Sequence, residues 1–116
     1  MSNNVSMKAY LPEKNLKDKV ILITGSAQRI GAEIVETLHN DGACVAIHYL
    51  SSEDKAKALS HKLNKSRPDS AAVFNADLKN VKSIIDLINK VIKWQGRLDG
   101  LVNNAGVNDG VSLSEG

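Results

Sequence analysis

Two glycines frame the stretch Thr24-Gly25-Ser26-Ala27-Gln28-Arg29-Ile30-Gly31, directly after the apolar run Val20-Ile21-Leu22-Ile23. A run rich in branched residues that breaks at a glycine and resumes with helical spacing reads as buried strand, tight turn and helix start. Such a turn gathers backbone N–H groups and the positive end of a helix dipole at one spot, which suits a pyrophosphate. Gly25 lets the chain turn with no side chain between backbone and ligand. Gly31, further along, lets the helix lie close to the strand. The Arg29 guanidinium is able to pair with phosphate oxygens through two nitrogens; the alternative is a solvated arginine at a helix start. A nucleoside-triphosphate loop is excluded, because no Gly-Lys-Ser/Thr follows at the helix start.

The next residues with possible chemistry are His48-Tyr49-Leu50-Ser51-Ser52, after a second apolar run. Folds that bind NAD place an acid at this strand end, on the ribose 2′-hydroxyl. None stands here, and Glu53 arrives too late, inside the next helix start. Without the acid a 2′-phosphate meets no repulsion, and the hydroxyls of Ser51 and Ser52 and the His48 ring are able to donate to it. His39 and His61 fall on helices without metal-ligand partners at suitable spacing and read as solvated surface histidines. Cys44 reads as a small buried hydrophobe, and Trp94 as packing on the core or an interface.

The elements that must position these residues repeat one unit. Strands are expected over 19–24, 43–49, 71–75 and 98–103, and helices over about 28–40, from Ser51-Ser52 to about 65, and from an Asn80 cap to about 95. In the first helix Ile30, Ile34, Val35 and Leu38 make a buried stripe, and Gly42 suits the left-handed position beyond its end. In the third, Val81, Ile84, Ile85, Ile88, Val91 and Ile92 make a wide apolar face to pack on the sheet. Alternating strand and helix imply an α/β fold, a Rossmann-like doubly wound parallel sheet with its four strands in the order 3-2-1-4. Ligand would then bind at the carboxyl ends, beside Gly25. Ending on Leu101-Val102 leaves an apolar strand without a neighbour on one side, so the remainder of the sheet is expected to be missing. Residues 1–16 read as a loose tail, and 17–116 as the amino-terminal part of one dinucleotide-binding domain.

Composition narrows the class. Of 116 residues, 42% are hydrophobic and 24% charged, as in an ordinary globular protein. A net charge of +2 with scattered basic residues, and only 3% aromatics, argue against a nucleic-acid partner. No apolar run approaches membrane-spanning length, and no leader pattern opens the chain, so no membrane partner is expected and the cytoplasm is the expected location. A single cysteine fits a reducing compartment.

Three motifs together carry a resemblance: Thr24-Gly25-Ser26-Ala27-Gln28-Arg29-Ile30-Gly31, then Asn75-Ala76-Asp77-Leu78, then Leu98-Asp99-Gly100-Leu101-Val102-Asn103-Asn104-Ala105-Gly106. In this order and spacing they resemble the short-chain dehydrogenase/reductase family, over roughly residues 18–110. The resemblance implies a hydride-transferring oxidoreductase that uses NAD(H) or NADP(H), with a small-molecule carbonyl, alcohol or C=N substrate and a homo-oligomer at full length. It implies a cofactor set of Gly25, Ser26, Gln28, Arg29, Ile30 and Gly31 at the turn, with Gly25 and Gly31 bordering the pyrophosphate. His48, Tyr49, Ser51 and Ser52 follow at the second strand end. Asp77 and Leu78 would sit near the adenine, and Asn103, Ala105 and Gly106 along the adenosine ribose and nicotinamide side.

Most of the family has glycine where Arg29 stands; an arginine there is similar to the pteridine reductase branch, whose turn takes NADPH. That branch usually carries arginine where Ser51 stands and serine where Gly106 stands. Val107-Asn108-Asp109-Gly110 looks more like sugar-alcohol and other general dehydrogenases. The expected cofactor is therefore NADP(H) in preference to NAD(H), with either a pteridine or another carbonyl or alcohol substrate. Catalysis in the family needs a serine and a Tyr-x-x-x-Lys, whose tyrosine works as acid or base beside the lysine ammonium. Tyr10 and Tyr49 are the only tyrosines. Tyr10 and Lys14 match the spacing by chance, since they precede the first strand and Pro12 opposes a helix there. No catalytic residue is expected in these 116 residues, and the alternative reading is a truncated, non-catalytic remnant that holds dinucleotide.

Overall fold

The computed structural model describes residues 15–105. They form β1 (Val20–Ile23), α1 (Arg29–Asn40), β2 (Cys44–Tyr49), α2 (Glu53–Ser66), β3 (Ala71–Asn75), α3 (Val81–Gln95) and β4 (Gly100–Val102). The four strands are parallel and lie in the order β3-β2-β1-β4, as the alternation of patterns predicts. Register places Ile21 beside Val45 and Gly100, and Ile23 beside Ile47 and Val102. Each strand therefore ends near the same rim of the sheet, and the connections carrying the motifs leave from that rim.

Strand β1 is buried along its whole length because it has strands on both sides and helices on both faces. Ile21 and Ile23 join Val35, Val45, Ile47, Ala56, Leu59 and Leu63 in the core beneath α1 and α2. Val20 and Leu22 point the other way, into a smaller core with Ala46, Leu87 and Val91 beneath α3. Phe74 and Trp94 close that second core edge to face, their ring centroids 6.0 Å apart, so Trp94 packs as expected.

The caps are partly as the sequence implies. Asn80 accepts the Ser83 amide at 2.9 Å, and Gly42, at φ 108, takes the positive-φ position that ends α1. Ser52 stands at the first cap position of α2 but makes no capping bond with its side chain. Leu16, assigned by sequence to the tail, packs against the core beneath α1 and donates its amide to Asp41.

Four further readings are corrected. Ile30 is 59% exposed rather than part of the α1 stripe, because the first turn of the helix has passed the end of β1 and has no strand beneath it. The stripe instead runs Gly31, Val35 and His39, with Ile34 and Leu38 on its margins. His39 is for that reason buried rather than solvated. Its Nε2 meets the Ser70 hydroxyl at 2.6 Å, and that hydroxyl in turn donates to the Arg67 carbonyl. His61 is exposed, as expected. On α3 only Leu87 and Val91 are buried, with Ile88 packed at the margin; Val81, Ile84, Ile85 and Ile92 are exposed because the helix turns a narrower face to the sheet than its sequence offers. Leu101, on the edge strand, is 52% exposed, as an apolar residue without a neighbouring strand should be. Cys44 is only partly buried, and that burial still pushes its thiol pKa up.

Candidate dinucleotide site

The rim is held together by hydrogen bonds between segments far apart in sequence. Thr24 donates its amide to the Val102 carbonyl at 3.0 Å, and its hydroxyl oxygen accepts the Ala105 amide at the same distance. The Asn104 side chain, 3% exposed, donates to the Gly25 carbonyl at 2.9 Å. The turn after β1 and the Asn103-Asn104-Ala105 segment after β4 therefore form one bonded unit. Neither Thr24 nor Asn104 was singled out from sequence, although each stands inside a motif that was. The signal was present: a threonine and an amide flanking glycine and alanine, residue types suited to bracing a turn.

The two glycines are required for reasons that are now specific. Gly25 lies at φ 58, where an L side chain is strained, and a Cβ there would stand 2.9 Å from the Ala105 Cα. A Cβ on Gly31 would stand 2.6 Å from both the Asn104 amide nitrogen and the Ser26 Cα. Both glycines permit close approach of backbone to backbone, and this brings the N-terminal turn of α1 to the rim. Arg29 also has a left-handed backbone, φ 58, with an exposed side chain. That conformation costs a non-glycine residue about 1–2 kcal/mol, so the arginine is kept at a position shaped for glycine. The first turn of α1 has no acid, and Gln28 makes no side-chain cap, leaving the positive end of the dipole uncompensated by its own residues.

A cleft of about 240 Å³ opens beside this turn, lined by Gly25, Ala27, Gln28, Arg29, Tyr49, Leu50, Ser51 and Ser52. The structure thus brings the glycine turn and the β2 end into one concavity, as the doubly wound order implies. Lys55, from the first turn of α2, reaches across and donates to the Gln28 side chain at 2.6 Å, which brings a cation to one of the lining residues. Glu53, in the same first turn, is paired with Lys57 at 2.8 Å.

Several predicted site residues stand elsewhere. The Ser26 side chain is fully buried and donates to the Ile23 carbonyl at 2.6 Å, so it braces the turn from within. His48 is also buried, at 3% exposure. Its Nδ1 accepts the Gly25 amide at 2.9 Å, and its Nε2 meets the Ala76 carbonyl at 2.8 Å. With both ring nitrogens engaged inside the protein, His48 is no donor to a ligand in the cleft; this corrects the sequence expectation. The pair of partners also fixes its tautomer, since an amide needs an acceptor at Nδ1 and a carbonyl needs a proton on Nε2. Burial holds its pKa below the usual histidine value, with the Ala76 carbonyl pulling the other way.

Ile30 is exposed at the start of α1 and does not line the cleft. Asp77 and Leu78 follow β3 outside it: Asp77 is exposed and 3.5 Å from Lys79, and Leu78 packs on the second core. Asn103 is exposed at the β4 end, its side-chain oxygen accepting from Thr24, and Ala105 lies against Gly25. Gly106, Tyr10 and the 107–110 segment lie outside the described residues. Among the described residues no group of three or more His, Cys, Asp or Glu could hold a metal ion. No described helix is long and apolar enough to cross a membrane.

Comparison with known proteins agrees with this fold. The family described as short chain dehydrogenase matches residues 19–116. Elsinochrome reductase 1 of Elsinoe fawcettii is 38% identical over 97 residues, covering 84% of this chain and 36% of that protein. Tropinone reductase-like 1 of Erythroxylum coca is 36% identical over 102 residues, covering 88% and 36%. Pteridine reductase 1 of Leishmania tarentolae is 37% identical over 103 residues, covering 74% and 36%. The chain spans little more than a third of the length of these relatives.

Proposed function

The chain belongs to the short-chain dehydrogenase family, and we propose that its cleft binds NADP(H) in preference to NAD(H). On this reading residues 17–116 are the amino-terminal, cofactor-holding part of an oxidoreductase. Bound there, the nicotinamide cofactor supplies or accepts a hydride; the substrate is a small carbonyl or alcohol compound or a pteridine. The observation that carries the reading is the make-up of the cleft rim. Gly25 and Gly31 leave no side chain in the way of the turn, Arg29 contributes a cation to the lining, and Lys55 is bonded to the lining residue Gln28. The β2 end offers hydroxyls at Ser51 and Ser52 where an NAD site would have an acid.

The residues of this chain divide the work of holding the cofactor. Amides at the start of α1 and the Arg29 guanidinium face the negative pyrophosphate, where fixed dipoles need no reorganisation on binding. Ser51 and Ser52 accept or donate at the ribose 2′ position. At about 240 Å³ the cleft is smaller than the usual ligand pocket and suits the adenosine end of the cofactor rather than the whole of it. Proton transfer to a substrate needs an acid that these residues do not supply. Tyr49 lines the cleft but has Glu53, not lysine, four positions on. The 116-residue chain by itself is therefore expected to bind dinucleotide without turning substrate over, and a non-catalytic dinucleotide-binding remnant is the second reading that the same two tyrosines favour.

The test is to add NADPH to the isotope-labelled chain and follow backbone amides by NMR. Shifts concentrated in residues 25–31 and 49–52 are expected; saturating NADPH that leaves both segments unmoved would remove the assignment.

A further inference from the structure

His48 belongs to neither the ligand surface nor the hydrophobic core in the ordinary sense. Its ring stands where three rim segments meet: the glycine turn after β1, its own strand β2, and the Ala76 connection after β3. Its main-chain oxygen also accepts the Ser26 amide at 3.0 Å, so residue and turn are joined twice. Neutral imidazole with its proton on Nε2 satisfies both side-chain contacts at once. Imidazolium does not, because a protonated Nδ1 would face the Gly25 N–H, donor against donor.

We propose that His48 is a positioning residue for the dinucleotide site: its uncharged ring holds the Gly25 peptide in the orientation that the turn needs, so ligand binding weakens when the ring is protonated. The proposal rests on the dinucleotide reading above and adds how the turn is kept in shape. The titratable and charged groups on the surrounding segments are Arg29 on the turn, Tyr49 on the same strand, and Asp77 and Lys79 after β3. On α3, which packs against the same face of the sheet, they are Lys82, Asp86, Lys90 and Lys93, all exposed. None of these sets the direction of the shift; burial does. Histidine in the unfolded chain takes up its proton near the ordinary value of 6.5, and the buried ring only at a lower pH. The bond to Gly25 is therefore complete above about pH 6.5 and is lost as pH falls through the lower folded value.

Two substitutions separate the contacts. Asparagine places an amide oxygen near the Nδ1 position and keeps the acceptor for Gly25; glutamine reaches towards Ala76 and loses that acceptor. Affinity of the 116-residue chain for NADPH is measured by calorimetry from about pH 7.5 to about pH 5. The wild type is expected to lose affinity as pH falls through the ring's protonation, beyond the change seen for H48N, which retains binding with a flatter profile. H48Q is expected to bind about tenfold more weakly at the upper pH. A pH profile in H48N as steep as the wild type's, or H48Q binding as tightly as wild type, would overturn the proposal.

A second measurement needs neither variant nor ligand. In the wild-type chain, protection of the Gly25 amide from hydrogen exchange, taken relative to its intrinsic rate at each pH, is expected to fall along the protonation curve of the His48 ring nitrogens. Gly25 protection that ignores that curve, or a ring protonated at Nδ1 at neutral pH, would overturn it. Failure of NADPH to bind at any pH would instead contradict the dinucleotide reading, and Gly25 exchange would still decide whether the ring holds the turn.

Discussion

The two sides of the cleft are built in different ways. On the glycine side, backbone meets backbone: Thr24, Gly25 and Gly31 are locked to Asn104 and Ala105 by hydrogen bonds and by contacts that leave no room for a Cβ. On the β2 side the cleft is lined by Ser51 and Ser52, with Lys55 nearby, and these are side chains in or near solvent. Backbone geometry of the first kind recognises what all dinucleotides share. Exposed side chains of the second kind can change singly without disturbing the fold, and the proposed function puts the choice between cofactors there. On the proposed reading the rigid side sets whether a dinucleotide binds, and the open side sets which.

If that contrast is correct, Gly25→Val has the largest effect. A β-branched side chain would occupy a left-handed position and strike the Ala105 backbone. NADPH binding should fall below detection, with about 1–3 kcal/mol lost from urea-unfolding stability. Unchanged affinity would break the assignment of the rigid side. Arg29 stands between the two sides, and its substitutions should separate binding from stability. Arg29→Ala is expected to weaken NADPH by about 1.5–3 kcal/mol if the guanidinium meets phosphate. Arg29→Gly should weaken it similarly while raising the melting temperature, because glycine relieves a strain of about 1 kcal/mol at φ 58.

The open side should respond more gently. Ser51→Asp is expected to shift the NADPH-to-NADH affinity ratio towards NADH by about tenfold, through repulsion of a 2′-phosphate, with the melting temperature unchanged. A ratio that does not move would place the 2′ group elsewhere. Outside the cleft, Ser70→Ala removes the hydroxyl that meets the buried His39 ring and should cost about 1–3 kcal/mol in urea unfolding. Equilibrium titration should find its NADPH affinity unchanged, and a change would mean that the two ends of the sheet are coupled.

Much of this was legible because the signals are periodic or covalent in origin. Branched apolar runs cannot be anything but buried strands in a chain that alternates so regularly, and strand order followed from connection geometry. The positions of Gly25, Arg29, Ser51 and Ser52 around one cleft followed from the same rule. Side-chain direction did not. Ser26 and His48 have residue types that suit ligand contacts, yet both turn inward, because the tight turn leaves polar groups that need partners. His39 shows the same limit from the other direction. Spacing from Val35 put it on the buried stripe, but a polar type on a helix suggested solvent until Ser70, distant in sequence, supplied the bond. On α3 the apolar pattern was wider than the contact it makes, and periodicity alone carries no measure of how much sheet lies beneath a helix.

The most direct test of the two-sided cleft is a pair of calorimetric titrations of the same 116-residue chain, one with NADPH and one with NADH, at neutral pH and equal ionic strength. Both cofactors should bind, since they share the pyrophosphate that the glycine side holds, and NADPH should bind more tightly through its 2′-phosphate. A folded chain that binds neither would contradict the account at its centre, and equal affinities would contradict the role given to the open side.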